Sequence, residues 1–471
     1  MNNCREKKRR YTFFISSAVY GAVLFCSVFC SVGLRANEAA GHSPLTVGAA
    51  SVSIMPKEPV TLGGYGLRTE KSQGARSDIY ARALYIKTEK TQFIWIVCDL
   101  IGFDRGEIAK IKKRVAANQG LHEENIIVSA THTHTAPATM NIGCPEKATR
   151  YIDGTLLPCI EKIAEQAVAT ASPCRMVTAQ GNCSLMHDRR NDPVPGDGAA
   201  PNPDKKLAYV DTRVPVVGFK RSDGSFIAIL VQFTAHPTSW SDLLIGSEWP
   251  GATAIAVKKT FGETVEPFII QGAAGNVGSP KRNAPQEEIQ TWGDTIVASF
   301  ANELLQAEYD NENVDFVATT IPVAAPTVTA DEVRQRADAL REQWAECPCV
   351  ATTVVTRFET ELLRRIDAGT IDHFDSPTCL ITLGDHVFVT VPYEVFSQMN
   401  REVAKYTSKN VHIVGYTNGV IMYLPSADAF EQGGYEPDAG LWFANLGTAP
   451  GSLEDYAKAV GLLLNKNNNE K

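Results

Sequence analysis

Two histidines separated by a single residue stand directly after a short apolar segment. His132 and His134 lie in Thr131-His-Thr-His-Thr135, which follows Asn-Ile-Ile-Val-Ser-Ala at 125–130. In an extended chain, residues i and i+2 point to one face, so the two imidazoles are expected to project together from the end of a strand. Two imidazoles on one face are a natural start for a zinc site. A solvated pair of loop histidines would show the same sequence.

Two other polar residues also follow apolar, strand-like segments. His236 comes after the segment 226–233, and Glu394 follows 387–391 and a proline. A lone histidine at such a place is more often structural than a ligand, and a carboxylate before a helix can simply interact with the helix dipole. The position of His236 after a strand, like that of His132, favours a ligand.

Glycine-rich and tyrosine-rich segments complete the candidate chemistry. Gln271-Gly-Ala-Ala-Gly-Asn-Val-Gly-Ser-Pro280 follows a strand-like segment, so its backbone N–H groups could line a site. It is neither a Walker loop nor a GxSxG elbow. A second glycine-rich loop is Gly63-Gly-Tyr-Gly66, and tyrosines recur between 415 and 436. Tyrosines near strand ends are usually packing residues.

Strand-like and helical patterns alternate along the chain and predict a mixed α/β protein with a single large catalytic domain. The predicted strands are 83–86, 93–97, 125–130, 214–220, 226–233, 266–271, 380–382, 387–391 and 411–415. The predicted helices are 105–119, 148–171, 252–261, 287–309, 330–346, 356–368, 396–406 and 452–465. No internal repeat and no linker is evident before residues 466–471, which are predicted to be a disordered tail.

The composition is that of an ordinary globular protein. Of 471 residues, 44% are hydrophobic and 21% are charged, which excludes collagen-like, coiled-coil and largely disordered proteins. The formal net charge of −8 argues against nucleic-acid binding, which requires a basic surface.

The first 36 residues have the order of an export signal. A basic start, MNNCREKKRR, is followed by an uncharged stretch at 11–34 and then by small residues. This stretch is also long enough to remain as an uncleaved membrane anchor. Residues 1–36 are therefore predicted to be a signal peptide or signal anchor, and the body to be periplasmic, extracellular or membrane-anchored outside the cytoplasm. Eight cysteines remain after this segment, and an oxidising compartment would permit disulfides of undetermined pairing.

Taken in order, these segments resemble the catalytic domain of the neutral/alkaline, non-lysosomal ceramidase family, over about residues 45–465. The resemblance rests on the segments 63–66, 97–100, 129–137, 233–239, 247–251, 271–280, 391–396 and 423–436. Segment 129–137 is the most specific of them.

The resemblance implies a zinc-dependent hydrolase that cleaves a linear amide, N-acylsphingosine or another small-molecule or lipid N-acyl compound, with a metal-activated water. It implies one Zn²⁺ per chain, held by His132, His236, Glu394 and Tyr423. It places His134 in the site as a proton-transfer or oxyanion group, and Tyr435 as a second site tyrosine. An active-site arginine of the family falls on Arg189 or Arg190. No nucleic acid is expected as a partner, and membrane association is expected only through the N-terminal segment.

Three departures from the family pattern bear on the substrate. Asn276 stands where the family commonly has Asp, in a loop with one extra residue, so a role for Ser279 stays open. Glu248 replaces a usual Asp. The chain is also expected to lack the C-terminal β-sandwich domain of the long ceramidases. The alternatives are an amidohydrolase-type metal hydrolase and a catalytically altered member that binds ligands in the cell envelope.

Overall fold

Three β-sheets, each with a mixture of strand directions, carry the fold. The structure is a computed structural model that describes residues 45–143, 146–190, 209–309, 313–370 and 372–469. The predicted export segment lies outside these residues. Within the described residues, no helix has the length and apolar character needed to cross a membrane. The chain from Ser43 onward is one structural unit, which confirms the predicted single large domain of mixed α/β class.

The N-terminal sheet has five strands, of which one pair is parallel. In spatial order they are Ile126–Ala130, Gln92–Cys98, Tyr80–Lys87, Thr46–Ser53 and Ser172–Pro173. The first two run parallel and the others are antiparallel. Helices Arg105–Gln119 and Leu157–Ala169 cover one face through apolar side chains such as Ile111 and Ile160.

The central sheet has four strands and the same kind of covering. In spatial order they are Glu266–Gln271, Phe226–Phe233, Arg213–Lys220 and Arg175–Asn182. The first pair is parallel and the remaining pairs are antiparallel. Helices Glu248–Phe261 and Gln286–Ala298 cover it through residues such as Trp249 and Ile289.

The C-terminal sheet repeats this arrangement. Its strands, in spatial order, are Val314–Ala324, His373–Leu383, His386–Thr390 and Asn410–Val414. The last pair is parallel. Helices Gln398–Val403 and Ser452–Asn469 pack on it through residues such as Met399 and Tyr456.

The remaining elements are short strand pairs and peripheral helices. The pairs are Gly74–Ala75 with Leu244–Ile245, His187–Asp188 with Val277–Gly278, and Tyr393–Val395 with Met422–Leu424. The further α-helices are Thr149–Tyr151, Ala301–Gln306, Ala330–Gln343, Val355–Asp367, Ala427–Gln432 and Tyr435–Asp438.

The inner faces of the three sheets meet in one shared core. Because side chains alternate along a strand, each strand can give one set of apolar residues to its covering helices and the other set to this core. Trp95 of the N-terminal sheet lies 6.2 Å, between ring centroids, from Phe268 of the central sheet and 6.2 Å from Phe388 of the C-terminal sheet. These mixed, open sheets differ from the closed parallel barrel that the amidohydrolase alternative requires.

Each sheet contains one strand–helix–strand unit with parallel strands. The helices that join the parallel pairs are Arg105–Gln119, Glu248–Phe261 and Gln398–Val403. In α/β proteins, functional groups gather beyond the carboxyl ends of parallel strands. His132, His236 and Glu394 each follow such an end, one from each unit. The fold therefore brings three distant parts of the sequence to one place.

Among the predicted helical segments that differ from the structure, two differ for a clear physical reason. The single helix predicted over 287–309 is two helices, Gln286–Ala298 and Ala301–Gln306. The break falls where the Ser299 hydroxyl donates to the Ile296 carbonyl and Phe300 is buried, so local bonding and packing override helical continuity. The tail predicted to be disordered from 466 is helical through Asn469, because extending an existing helix costs far less than starting one.

Candidate metal centre

Three buried side chains direct donor atoms to one point. His132 Nε2 lies 3.2 Å from Glu394 Oε2, and His236 Nε2 lies 3.0 Å from the same oxygen. All three side chains are at most 5% exposed. Ligand atoms around a tetrahedral zinc ion lie about 3.3 Å apart, because the bonds are about 2.0 Å long. The spacing of the three donors therefore matches a metal site.

Backbone carbonyls fix the tautomer of both imidazoles. His132 Nδ1 lies 2.6 Å from the Ile101 carbonyl oxygen, and His236 Nδ1 lies 2.6 Å from that of Ala274. A carbonyl oxygen only accepts, so each Nδ1 carries the hydrogen and each Nε2 presents a lone pair. Bonds of this kind from the far ring nitrogen orient metal-binding histidines in proteins.

The contacts with Glu394 favour a cation at this point. Each Nε2 lone pair faces a carboxylate oxygen, and two acceptors this close repel each other unless a positive charge lies between them. A proton is disfavoured at His236, because burial and the charge of Arg189 lower its pKa to about 4. Burial by itself would raise the pKa of Glu394, but the two histidines outweigh it and hold that pKa well below the usual value. A neutral His236 beside an ionised Glu394 is the combination that metal ligation needs.

The backbone brings His132 and His134 together by a turn and not by strand alternation. The strand ends at Ala130, and His132 has a φ of +67°, which lies in the left-handed region. The expected extended conformation of this segment was therefore wrong, although the two rings do meet, with centroids 4.8 Å apart. His134 Nε2 lies 3.1 Å from His132 Nε2. The nitrogen atoms of His132, His134 and His236 all lie within 4.8 Å of one another and could hold a metal ion.

His134 differs from the other two histidines in its surroundings. It is partly exposed, whereas His132 and His236 are buried. Burial of its ring nitrogens, followed by the nearby His132 and His236, lowers the pKa of His134 well below its usual value. A neutral imidazole on the solvent side of the centre is able to accept a proton.

Tyr423 enters the centre beside Glu394, because the two residues are partners in the short parallel ladder. Burial and then the charge of Glu394 raise the pKa of Tyr423 well above its usual value. The neutral phenol accepts a hydrogen bond of 3.2 Å from Arg189 Nη2. Tyr435 packs edge-on against Tyr423, with ring centroids 5.7 Å apart, and is partly exposed.

The structure distinguishes the two arginines. Arg189 contacts Tyr423 and also donates to the Gly275 carbonyl at 2.7 Å. Arg190 donates instead to Glu436 Oε2 at 2.6 Å and to the Gly433 carbonyl at 2.7 Å. Glu436 also accepts from Arg189 Nε at 3.1 Å, so it joins both arginines. Arg189 therefore borders the centre, and Arg190 holds the segment that carries Tyr435.

The glycine-rich loop contributes carbonyl groups where N–H groups were expected. The carbonyls of Ala274 and Gly275 bind His236 and Arg189. The Asn276 amide donates to Asp188 and accepts from the Ser397 N–H, so Asn276 ties the loop to its neighbours. The Ser279 hydroxyl donates to the His236 carbonyl and accepts from the Thr238 N–H at 3.1 Å. These bonds give Ser279 a place in the support of His236.

Sequence reasoning missed several neighbours of the centre. Tyr416 stacks on His132, and Tyr65 packs edge-on against His134. Arg68 donates to the His134 carbonyl at 3.1 Å. Glu248, already noted as a departure from the family pattern, accepts from the Ser239 N–H at 2.7 Å, and burial raises its pKa to about 8. The glycines on both sides of Tyr65 were a sequence signal for a site, because glycine permits the close backbone packing seen at Gly64 and Gly66. Tyr416 had no such signal beyond its place after a strand.

The fold and this site define a mixed α/β protein with a buried histidine–carboxylate centre able to hold a metal ion. The sequence profile described as "Neutral/alkaline non-lysosomal ceramidase, N-terminal" matches residues 46–303. This match covers more than half of the chain, which therefore belongs to the neutral/alkaline non-lysosomal ceramidase family, whose hydrolases act on amide bonds.

Two solved structures share the fold. The crystal structure of neutral ceramidase from Pseudomonas aeruginosa matches with a TM-score of 0.66 and 17% identity, over 89% of this chain and 75% of that one. A ceramidase complexed with C2 matches with a TM-score of 0.65 and 16% identity, over 90% of this chain and 76% of that one. At these identities the likeness speaks for the fold alone.

Proposed function

We propose that this protein is a zinc-dependent hydrolase that cleaves the amide bond of a small-molecule or lipid N-acyl substrate, as a ceramidase does. One observation carries the proposal: the lone pairs of His132 Nε2 and His236 Nε2 both face the ionised Glu394 Oε2 within 3.2 Å. A cation bound between these atoms would stabilise that arrangement. Membership in the ceramidase family supports the reaction class, and the complex of a related ceramidase with C2 supports a lipid N-acyl compound.

In this proposal, His132, His236, Glu394 and Tyr423 hold the zinc ion. Zinc in such a donor set polarises a carbonyl and lowers the pKa of water to about 7. The Ile101 and Ala274 carbonyls keep the two imidazoles oriented. Arg189 keeps the Tyr423 oxygen in place through its 3.2 Å hydrogen bond.

His134 moves the proton. Its Nε2 points toward His132 at the centre, and its low pKa leaves the imidazole neutral at the start of the reaction. It accepts the proton of the attacking water and then delivers it to the leaving nitrogen, because an amine departs poorly as an anion. The Tyr435 hydroxyl and the Arg189 guanidinium supply donors for the oxygen that becomes negative in the tetrahedral state.

The exposed side of the centre supports one route of entry for the substrate. His134, Tyr435 and Tyr65 are partly exposed, whereas the ligands beneath them are buried. The substrate carbonyl therefore approaches past these three rings. In this proposal, His134 lies between solvent and the residues that hold the metal.

We further propose that residues 1–36 direct export, so that the body acts outside the cytoplasm. The basic, apolar and small-residue order of this segment supports the proposal. Fractionation of expressing cells, followed by N-terminal sequencing of the protein, tests both export and cleavage.

The activity is tested by incubating the metal-loaded full chain with ceramide, N-acyl amino acids and N-acetyl sugars and measuring the products by mass spectrometry. We expect release of a fatty acid and an amine from at least one lipid N-acyl compound. Glu394→Gln serves as the inactive control, and His122→Ala, at an exposed position, as the matched surface control. Bound zinc without cleavage of any amide would refute the hydrolase and favour the ligand-binding alternative.

A further inference from the structure

Tyr416 lies flat against His132. Their ring centroids are 4.0 Å apart and their planes differ by 26°. Tyr416 is 1% exposed and comes directly after the strand Asn410–Val414 and Gly415. A buried face-to-face contact of this kind fixes the plane of the imidazole, and with it the direction of the Nε2 lone pair.

Both stacked residues have unusual backbone conformations. His132 has a φ of +67° and Tyr416 a φ of +55°, values that non-glycine residues rarely adopt. Backbone hydrogen bonds hold them there: His132 N–H donates to Leu100 at 2.9 Å, and Tyr416 N–H donates to Tyr393 at 3.1 Å. Strained residues of this kind concentrate at functional sites, where the surrounding structure enforces them.

The Tyr416 hydroxyl has no hydrogen-bond partner among the described residues, although it is buried. The Tyr416 ring lies beside two site histidines, with its centroid 4.0 Å from that of His132 and 6.2 Å from that of His236, so Tyr416 borders the centre. A buried hydroxyl without a partner is costly. An oxygen atom that enters the centre would give this donor its partner.

We propose that Tyr416 positions the centre in two ways: its ring fixes the plane of His132, and its hydroxyl donates a hydrogen bond to an oxygen atom of water or of a carboxylate-like ligand in the centre. This role rests on the proposed function, because it assumes that a metal ion occupies the site. The family resemblance assigns Tyr423 and Tyr435 to the site and leaves Tyr416 without a role.

The stacking is tested by zinc affinity. Tyr416→Leu removes the ring, and Tyr416→Phe keeps the ring but removes the hydroxyl. Competition with a chelator should show zinc binding that is about 10–100-fold weaker in Tyr416→Leu, the range found when groups that orient metal ligands are removed. Tyr416→Phe should stay within twofold of the wild type. Unchanged affinity in a folded Tyr416→Leu protein would overturn the stacking role.

The hydroxyl is tested by calorimetric binding of acetohydroxamate, an oxygen-donor probe, to the zinc-loaded proteins. Tyr416→Phe should bind the probe about tenfold more weakly, as expected for one lost hydrogen bond. Tyr456→Phe is the matched control, because Tyr456 is a buried tyrosine whose hydroxyl bonds Thr378. Equal probe affinity in wild type and Tyr416→Phe would overturn the hydroxyl role. If Tyr416→Leu does not fold, this probe measurement is the one that tests the proposal.

Neither measurement requires turnover, so failure of the proposed function can be distinguished from failure of the role proposed for Tyr416. A protein that binds zinc and the probe but cleaves no amide contradicts the hydrolase, while the two comparisons still decide the role of Tyr416. A wild-type chain that takes up no zinc would overturn both.

Discussion

Glu394 and Tyr423 are direct partners in a parallel ladder of only three residues on each strand. The pairing gives the carboxylate and the phenol neighbouring backbone positions, so the two side chains lie next to each other at the centre. The two imidazoles come from separate sheets. The geometry of the centre therefore depends on how this short ladder is held against the loops of His132 and His236.

We expect Glu394→Gln to abolish tight zinc binding. The amide keeps the shape of the side chain but loses the negative charge that would hold a cation between this side chain and the two imidazoles. Elemental analysis should show about one zinc per chain in the wild type and a small fraction of that in the variant. Glu361→Gln, which alters a carboxylate paired with Arg364 on a peripheral helix, should leave the zinc content unchanged.

Alanine variants of His132 and His134 should separate ligation from proton transfer. His132→Ala should lose zinc, because His132 provides an Nε2 donor next to Glu394. His134→Ala should keep zinc but lower kcat by about 10²–10⁴-fold, the range for a general acid–base group. Zinc loss in His134→Ala would instead make His134 a metal ligand, which its 3.1 Å approach to His132 Nε2 also allows.

Arg189→Lys and Arg190→Lys should have different effects. Lysine cannot make the branched contacts of Arg189 with Tyr423, Gly275 and Glu436, so kcat should fall about 10²-fold or more while the zinc content is kept. Arg190→Lys weakens contacts with Glu436 and Gly433, so we expect a lower melting temperature and a kcat within about threefold of the wild type. The opposite pattern would transfer the site role to Arg190.

Gly64→Ala should displace the His134 side chain, because there is no room for a methyl group at position 64. A Cβ atom at Gly64 would lie 2.6 Å from the His134 side chain, and the φ of +97° disfavours any side chain there. We expect a loss of kcat of about tenfold or more with zinc retained. Gly106→Ala is the matched control, because open space surrounds its Cβ position. Equal kinetics in the two variants would contradict the close approach.

Stability should fall in mild acid because of a histidine pair outside the centre. His386 Nδ1 lies 2.9 Å from His412 Nε2, and burial, followed by the charge of His386, lowers the pKa of His412 well below its usual 6.5. A lowered histidine pKa means that the unfolded chain binds the proton first. The contribution of neutral His412 to the free energy of unfolding is therefore present above pH 6.5 and is lost as the pH falls below it. The loss is at most about 1.4 kcal/mol per pH unit.

Urea unfolding at pH 7 and pH 5 measures this effect. The decrease in the free energy of unfolding should be smaller in His412→Gln than in the wild type. His122→Gln, an exposed control, should keep the wild-type decrease. An unchanged decrease in His412→Gln would exclude the pair as the cause.

Local patterns predicted much of the fold. The strands at 226–233 and 266–271 and the helix at 105–119 begin and end where their apolar periodicity does. The shared core around Trp95, Phe268 and Phe388 was not predictable, because strand order depends on contacts between residues far apart in sequence. The three strand–helix–strand units were missed for the same reason: they share topology and no sequence pattern.

The candidate site was predictable where side-chain chemistry and motif coincide. His132, His236 and Glu394 follow predicted strands, and the structure brings them together. The choice between Arg189 and Arg190 was not predictable, because adjacent residues with identical side chains differ only in direction. Tyr416 was missed since its role comes from a left-handed turn, which no residue type at that position signals.

The three strand–helix–strand units have a consequence for the order of biogenesis. A growing chain that has made only the first two units holds both imidazoles but lacks the carboxylate of the third. In the proposed function, high affinity for zinc would arise only when the ladder at 393–395 has closed with 422–424. Tight metal binding would therefore follow the last step of folding, and it would stabilise the chain only once all three units have folded.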